Sequence, residues 1–435
     1  MTDLKKFVIP EIKDPKGFRY LYGKKEFVPG KSWLYYSGPY WDENEIGSAL
    51  KAFCYGKWLS SGENVHKFEC EFSKRFGHKQ SLMVNSGSSA NLVMISALKK
   101  RFGWKDGDEI IVSCVGFPTT LAPIVQNNLK PVFVDISLDD LNWDTFQIEQ
   151  KITNKTVALF SSPVLGNPYD FDHVKELCKK HKIQFVGDNC DSLGSQWRGK
   201  YLTDYYVVSS CSFYASHHIC CGEGGMVSSN DMDLVTEARS FATWGRDCFC
   251  VGSANLLSCG TCGKRFSKWL NGYDEPVDHK YVFSNIGYNL KPLDFQGAIG
   301  LEQLKKFSEI KEKRKFNKYK IGNFINDIDG IKTIQEKFWS DTCWFGTPVI
   351  CETKELKQKL VQYLETNKIQ TRNYFAGNIL LHPGYEHLGD YKKYPNASIV
   401  LDRVFFIGCS PQYGKEELEY IENVLNDFKF IRGNC

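Results

Sequence analysis

Two adjacent histidines stand in the stretch Ser212-Phe-Tyr-Ala-Ser-His217-His218-Ile-Cys-Cys-Gly-Glu-Gly-Gly225. An imidazole titrates near neutral pH and can take up or release a proton. The glycines that follow let backbone pass close to a ligand. The same pattern also suits a hairpin with two surface histidines. A second set lies upstream, where Ser81-Leu-Met-Val-Asn85 empties into Ser86-Gly-Ser-Ser-Ala90 and a helical run to Lys100. Such a turn offers hydroxyls and free N–H groups to an anion, helped by the helix dipole. An ordinary N-capped helix has the same pattern. Three further motifs complete the set: Gly116-Phe-Pro-Thr-Thr120, Gly187-Asp-Asn-Cys-Asp191 and Gly287-Tyr-Asn289-Leu-Lys291.

The elements between these motifs alternate. Apolar runs predict strands over Glu109 to Ser113, Pro131 to Asp135, Val157 to Ser161, Ile183 to Asp188 and Tyr205 to Cys211. Helical patterns fall at Glu63 to Phe76, Thr119 to Asn127, Asp170 to His181 and Met232 to Thr243. This is an α/β chain with a large, mostly parallel sheet covered by helices on both faces. Ligands in such sheets bind beyond the carboxyl ends of the strands. Ser86, Phe117, Asp188 and His217 all fall at or just past such ends, and are expected to converge.

Residues 1–50 are rich in Pro and aromatics without clear period and predict an N-terminal arm. Residues 51–310 form the expected large domain, with a cysteine-rich insertion over about 244–281. Residues 311–435 predict a smaller α+β domain, and Phe295 to Lys306 reads as a helix followed by a long charged one.

The 435 residues are 42% hydrophobic and 24% charged, with 55 basic and 51 acidic side chains and a net charge of +4. That balance, without a long basic run, argues against nucleic acid as a partner. The sequence has neither a membrane-length apolar run nor a signal peptide, so the expectation is a cytoplasmic protein without membrane association. Sixteen cysteines in a reducing compartment favour metal or redox use over disulfides.

The five ordered motifs together resemble the DegT/StrS family of sugar aminotransferases, which are fold-type I enzymes, from about Trp58 to the C-terminus. The resemblance implies a pyridoxal-type cofactor. Ser88, Ser89 and Ser212 would hold its phosphate, Phe117 would stack on its ring, and Asp188 would pair with the ring nitrogen. Asp191 takes the place near the ring hydroxyl. Asn289 would reach the phosphate from a second subunit, which implies a homodimer. Where these aminotransferases carry the Schiff-base lysine, this chain has His217. Imidazole forms no stable Schiff base. Pyridoxamine 5'-phosphate bound without a covalent link is therefore expected, with His217 as base.

In that respect the chain is similar to the nucleotide-sugar 3-dehydrases, and its cysteines to their iron–sulfur branch, typified by CDP-4-keto-6-deoxyglucose 3-dehydrase. Fifty-seven residues separate Cys190 from Cys248. By this resemblance Cys190, Cys248, Cys250 and Cys262 would hold a 2Fe–2S cluster, with Cys259 competing for the fourth place. A zinc site of Cys248, Cys250, Cys259 and Cys262 is the local alternative. The implied activity removes the 3-hydroxyl of a CDP-linked 4-keto-6-deoxyhexose for 3,6-dideoxyhexose biosynthesis. A flavin/iron–sulfur reductase would return two electrons through the cluster. Arg246 and Arg372 are candidates for the substrate diphosphate, or else surface ion pairs. A cluster-free dehydratase-deaminase that finishes by hydrolysis, and a non-enzymatic regulator on the same fold, are the alternatives.

Overall fold

The computed structural model describes residues 27–247, 265–267 and 270–433. Seven strands build the main sheet: β1 (Gln80–Val84), β2 (Glu109–Ser113), β3 (Lys130–Val134), β4 (Thr156–Ser161), β5 (Gln184–Asp188), β6 (Val208–Ser212) and β7 (Gly225–Ser229). Their spatial order is β1-β7-β6-β5-β4-β2-β3. β7 is antiparallel to both neighbours, and the remaining pairs are parallel.

Both faces of the sheet are covered, so neighbouring residues along a strand enter different cores. Ile110 and Val112 pack with Ala90, Val93 and Leu98 of α3 (Gly87–Phe102), whereas Ile111 packs with Phe171 and Val174 of α6 (Phe171–His181). Met83, Cys211 and Met226 meet Phe68 and Phe72 of α2 (Glu63–Phe76) on that second side, toward the β1 edge. The remaining helices around this sheet include α4 (Pro118–Gln126), α5 (Thr145–Lys151) and α7 (Met232–Ala242).

A second, antiparallel sheet follows, with β8 (Ile331–Lys332), β9 (Gly346–Cys351), β10 (Thr371–Asn373) and β11 (Val404–Gly408) in the order β8-β9-β11-β10. It is flanked by α9 (Lys354–Thr366), α10 (Pro395–Arg403) and α11 (Lys415–Gly433). Between the sheets runs α8 (Asp294–Asn326), a single helix of 33 residues. The sequence predicts two helices there, and the boundary expected at 310/311 falls inside α8.

The expected N-terminal arm also ends earlier than residue 50, because Glu43–Tyr55 is a helix, α1. Asp42 and Glu45 form a capping box at its start, satisfying two N–H groups that would otherwise lack partners. Among the described residues no helix is long and apolar enough to cross a membrane.

Candidate active site

The carboxyl ends of the parallel strands face a cavity of about 500 Å³, closed on its far side by the second sheet. Three turns build the near wall. At the end of β1, Ser86 caps α3 by accepting the Ser89 N–H at 3.1 Å. The N–H groups of Gly87 and Ser88 then have no acceptor within the helix, and both residues line the cavity. Here the backbone must come close to β6 and β7. A Cβ on Gly87 would lie 2.5 Å from Ser212 Cβ and 3.1 Å from Cys190 Sγ, and one on Gly225 would lie 2.2 Å from the Ser86 carbonyl oxygen. Glycine at both positions lets the anion-binding turn sit beside Ser212. Ser88 Oγ donates to Thr119 Oγ1 at 3.1 Å, tying this turn to the start of α4. Phe117, the residue preceding α4, leaves 54% of its surface open at the cavity wall.

At the end of β5, Asp188 is buried and held from several directions. Its Oδ2 accepts from Asn91 Nδ2 at 2.8 Å and from Thr120 Oγ1 at 2.6 Å. Its Oδ1 accepts from the Cys190 N–H at 3.2 Å. A carboxylate so fixed can present charge to a cationic ring nitrogen without reorganising. Cys190 and Asp191 follow on the same wall. Burial pushes the Cys190 thiol well above its usual range, with Asp188 adding to the effect. Burial likewise raises the Asp191 carboxyl to about 8, reinforced by the Asp188 charge.

The connection between β6 and β7 carries the histidines. It is pinned at its base by Phe213 N–H to the Gly224 carbonyl and Cys221 N–H to the Phe213 carbonyl, both 2.9 Å. His217 lines the cavity, and its Nδ1 is buried without a hydrogen-bond partner. Its ring centroid lies 5.0 Å from that of Phe345. Burial pulls the imidazole down to about 4, the Arg314 cation pushes the same way, and Asp188 and the Cys190 carbonyl oppose them. At neutral pH the ring is therefore an unprotonated base. His218 points away: its Nε2 is 2.9 Å from the Cys343 carbonyl, and burial holds it well below its usual value. Among the described residues lining the cavity there is no lysine.

Of the residues anticipated from the sequence, Ser88, Phe117, Asp188, Cys190, Asp191, Ser212, His217 and Arg372 share this cavity. Four do not line it. Ser86 caps α3 and draws Ser89 into that cap. Asn289 and Arg246 lie together elsewhere, because the chain after α7 pairs with the chain before α8. Trp244 N–H donates to the Tyr288 carbonyl at 2.6 Å, and the Arg246 guanidinium lies 4.6 Å over the Trp244 ring. Cys248, Cys250, Cys259 and Cys262 lie outside the described residues, and among the described residues no group of three or more His, Cys, Asp or Glu could hold a metal ion. The structure also adds wall residues that no motif announced, notably Tyr36, Phe345, Phe375 and His382. Phe375 carries a left-handed φ of 47°, uncommon for a bulky residue.

A GDP-4-keto-6-deoxy-D-mannose-3-dehydratase from E. coli, solved with bound hydrated PLP, matches with a TM-score of 0.79 at 28% identity, covering 91% of this chain and 99% of that one. The fold is thus that of the fold-type I, PLP-dependent aminotransferases, as anticipated. A family model described as DegT/DnrJ/EryC1/StrS aminotransferase matches residues 41–426. The chain belongs to that family. It is 36% identical over 411 residues to a dTDP-4-dehydro-2,6-dideoxy-D-glucose 3-dehydratase of Saccharopolyspora spinosa, covering 92% of this chain and 88% of that protein. It is 32% identical over 396 residues to a GDP-4-keto-6-deoxy-D-mannose 3-dehydratase of Yersinia pseudotuberculosis, covering 90% and 96%. These relatives carry dTDP and GDP in their names, so they lend the anticipated CDP substrate no support, and none of these names mentions an iron–sulfur cluster.

Proposed function

We propose that this protein is a pyridoxamine 5'-phosphate-dependent nucleotide-sugar 3-dehydratase acting on a dTDP- or GDP-linked 4-keto-6-deoxyhexose. The observation that carries this is the buried His217 facing a cavity with no lysine among its described lining residues, opposite the fixed Asp188 carboxylate. The donor set fits the cofactor. Ser88, Ser212 and the first N–H groups of α3 suit its phosphate, Phe117 its ring face, and Asp188 its ring nitrogen. When bound, the cofactor supplies an amine for the 4-keto group and a ring that accepts the electrons released when its methylene loses a proton. His217, on the cavity wall, would take that proton at a ring nitrogen and so permit the 3-hydroxyl to leave. Arg372, on the cavity wall with its guanidinium 4.6 Å over Tyr36, suits the diphosphate. Asn289 completes the phosphate site from the partner subunit of a homodimer, and Arg246 accompanies it.

The likeness to the GDP-sugar dehydratases favours release of product by hydrolysis, without a cluster. A second reading, in which a 2Fe–2S cluster returns electrons from a reductase, is favoured by Cys190 standing on the cavity wall beside Ser212. The test is turnover of dTDP- and GDP-linked 4-keto-6-deoxyhexoses by protein loaded with pyridoxamine phosphate. Loss of the 3-hydroxyl is expected, and an amino sugar retaining that hydroxyl would overturn the proposal.

A further inference from the structure

Arg314 projects from α8 and is fully buried. Its Nη1 donates to the carbonyls of Phe345 at 3.0 Å and Trp344 at 3.4 Å. Its Nη2 donates to Ser37 Oγ at 3.0 Å, the Ser216 carbonyl at 3.0 Å and the His217 carbonyl at 3.5 Å. Ser37 Oγ in turn donates to the Ser216 carbonyl at 2.7 Å. Among the described residues no carboxylate lies within ion-pair distance of this cation. A buried, unpaired charge is costly unless its donors are satisfied. Here the two Nη groups are satisfied, Nε alone lacking a partner, by three segments that meet at the cavity: the histidine connection, the chain entering β9, and the N-terminal segment that carries Tyr36.

We infer that Arg314 is a positioning residue that fixes the backbone from which His217 projects into the cavity. This rests on the dehydratase reading of that site. A planar five-donor fork can hold acceptors on three segments at once, which a lysine ammonium cannot do with the same geometry. The Phe345 ring, whose own carbonyl is held by Arg314, packs against the His217 ring, so backbone and ring are set by one cation. The buried charge also opposes protonation of His217. The other groups facing that ring are Asp188, Cys190 and Asp191 from the β5 end and His218 from its own connection. Arg372 of β10 and His382, beyond that strand, share the cavity.

The test uses full-chain protein with isotope-labelled histidine, with the His217 resonance assigned by its loss in His217→Asn. In Arg314→Met the His217 titration should move up toward the usual histidine value, by less than its full depression because burial, the larger cause, remains. With a dTDP- or GDP-linked 4-keto-6-deoxyhexose present, solvent-hydrogen exchange into the methylene of bound pyridoxamine phosphate should fall about 10- to 100-fold, with the cofactor Kd changed by less than about threefold. Arg314→Lys should keep the low titration and still lose exchange. A folded Arg314→Met with unmoved titration and unchanged exchange would overturn the inference. Should that variant not fold, Ser37→Ala decides. Removing the hydroxyl shared by Arg314 and Ser216 should lower exchange severalfold without weakening cofactor binding, and unchanged exchange would count against the inference. Wild-type protein that binds cofactor but shows no exchange would defeat the dehydratase reading, leaving the titration to judge Arg314.

Discussion

His217 Nδ1 and Asp191 Oδ1 stand 3.8 Å apart on the cavity wall, yet burial drives them to the same net charge. Asp191 is pushed up to about 8 and His217 pulled down to about 4. At neutral pH the carboxyl keeps its proton and the imidazole has none, so the two meet as neutral groups.

That relationship gives stability a definite pH dependence. Between about 4 and 8 the folded chain keeps a proton on Asp191 that the unfolded chain has released, so this contribution falls as pH rises through that window. His217 works oppositely between about 4 and 6.5, because there the unfolded chain takes up a proton that the folded chain refuses. Above pH 6.5 only the Asp191 slope remains. Asp191→Asn should therefore remove a loss of at most about 2 kcal/mol between pH 6.5 and 8. Denaturant midpoints of the apoprotein measured across that range check this, and a variant with the wild-type slope would refute it.

The base makes a separate prediction. His217→Asn should leave cofactor binding within about threefold while lowering solvent exchange at the cofactor methylene by about 10²–10⁴. His217→Lys should restore the tethering amine. With pyridoxal phosphate supplied, borohydride should then fix the cofactor to the chain at residue 217 and at no other lysine, as peptide mass mapping would report. Fixation in the wild-type protein would contradict non-covalent binding.

How far these roles could be read from the sequence depended on how local their signals are. Strand ends at Val84, Ser113, Ser161 and Asp188 were legible because short apolar runs stop at polar or glycine-containing turns, and a parallel sheet brings such ends together. The start of α1 was also written locally, as Asp42 and Glu45 three residues apart, but the aromatic-rich context masked it. The Val404–Gly408 strand, five residues buried throughout, went unread because it follows directly on α10, without the turn residues that set the other runs apart. Arg314 lay beyond sequence reasoning for another reason. On α8 it sits among Lys311, Lys313, Lys315 and Lys318, where charge patterning predicts a solvated face. Only the arrival of Ser37, Ser216 and Phe345 from distant parts of the chain makes it a buried hub.

The placement of Asn289 and Arg246 away from the cavity yields a prediction about assembly. If Asn289 serves a partner's phosphate site, the active species is a homodimer with two composite sites. Asn289→Ala should weaken cofactor binding about tenfold although the residue does not line its own chain's cavity. Mixing Asn289→Ala with His217→Asn should restore about a quarter of wild-type exchange through hybrid dimers that each keep one intact site. Sedimentation showing a monomer at full cofactor occupancy would defeat the composite site.

The last prediction separates hydrolytic release from electron return. If release is hydrolytic, protein purified without oxygen should be colourless once cofactor is removed, and turnover should need neither reductase nor reduced nicotinamide but an amino donor, because the cofactor's amine leaves as ammonia. Cys190→Ser should then change turnover by less than about threefold, since a thiol held protonated by burial contributes packing and little chemistry. If a cluster returns the electrons, the same protein should carry about two irons per chain, and net loss of the 3-hydroxyl should depend on a reductase. Cys190→Ser should then stop net turnover while leaving solvent exchange at the methylene intact, because His217 acts before electrons are needed. Exchange and turnover lost together in Cys190→Ser, with cofactor still bound, would contradict both assignments and place the thiol in the proton-transfer step itself.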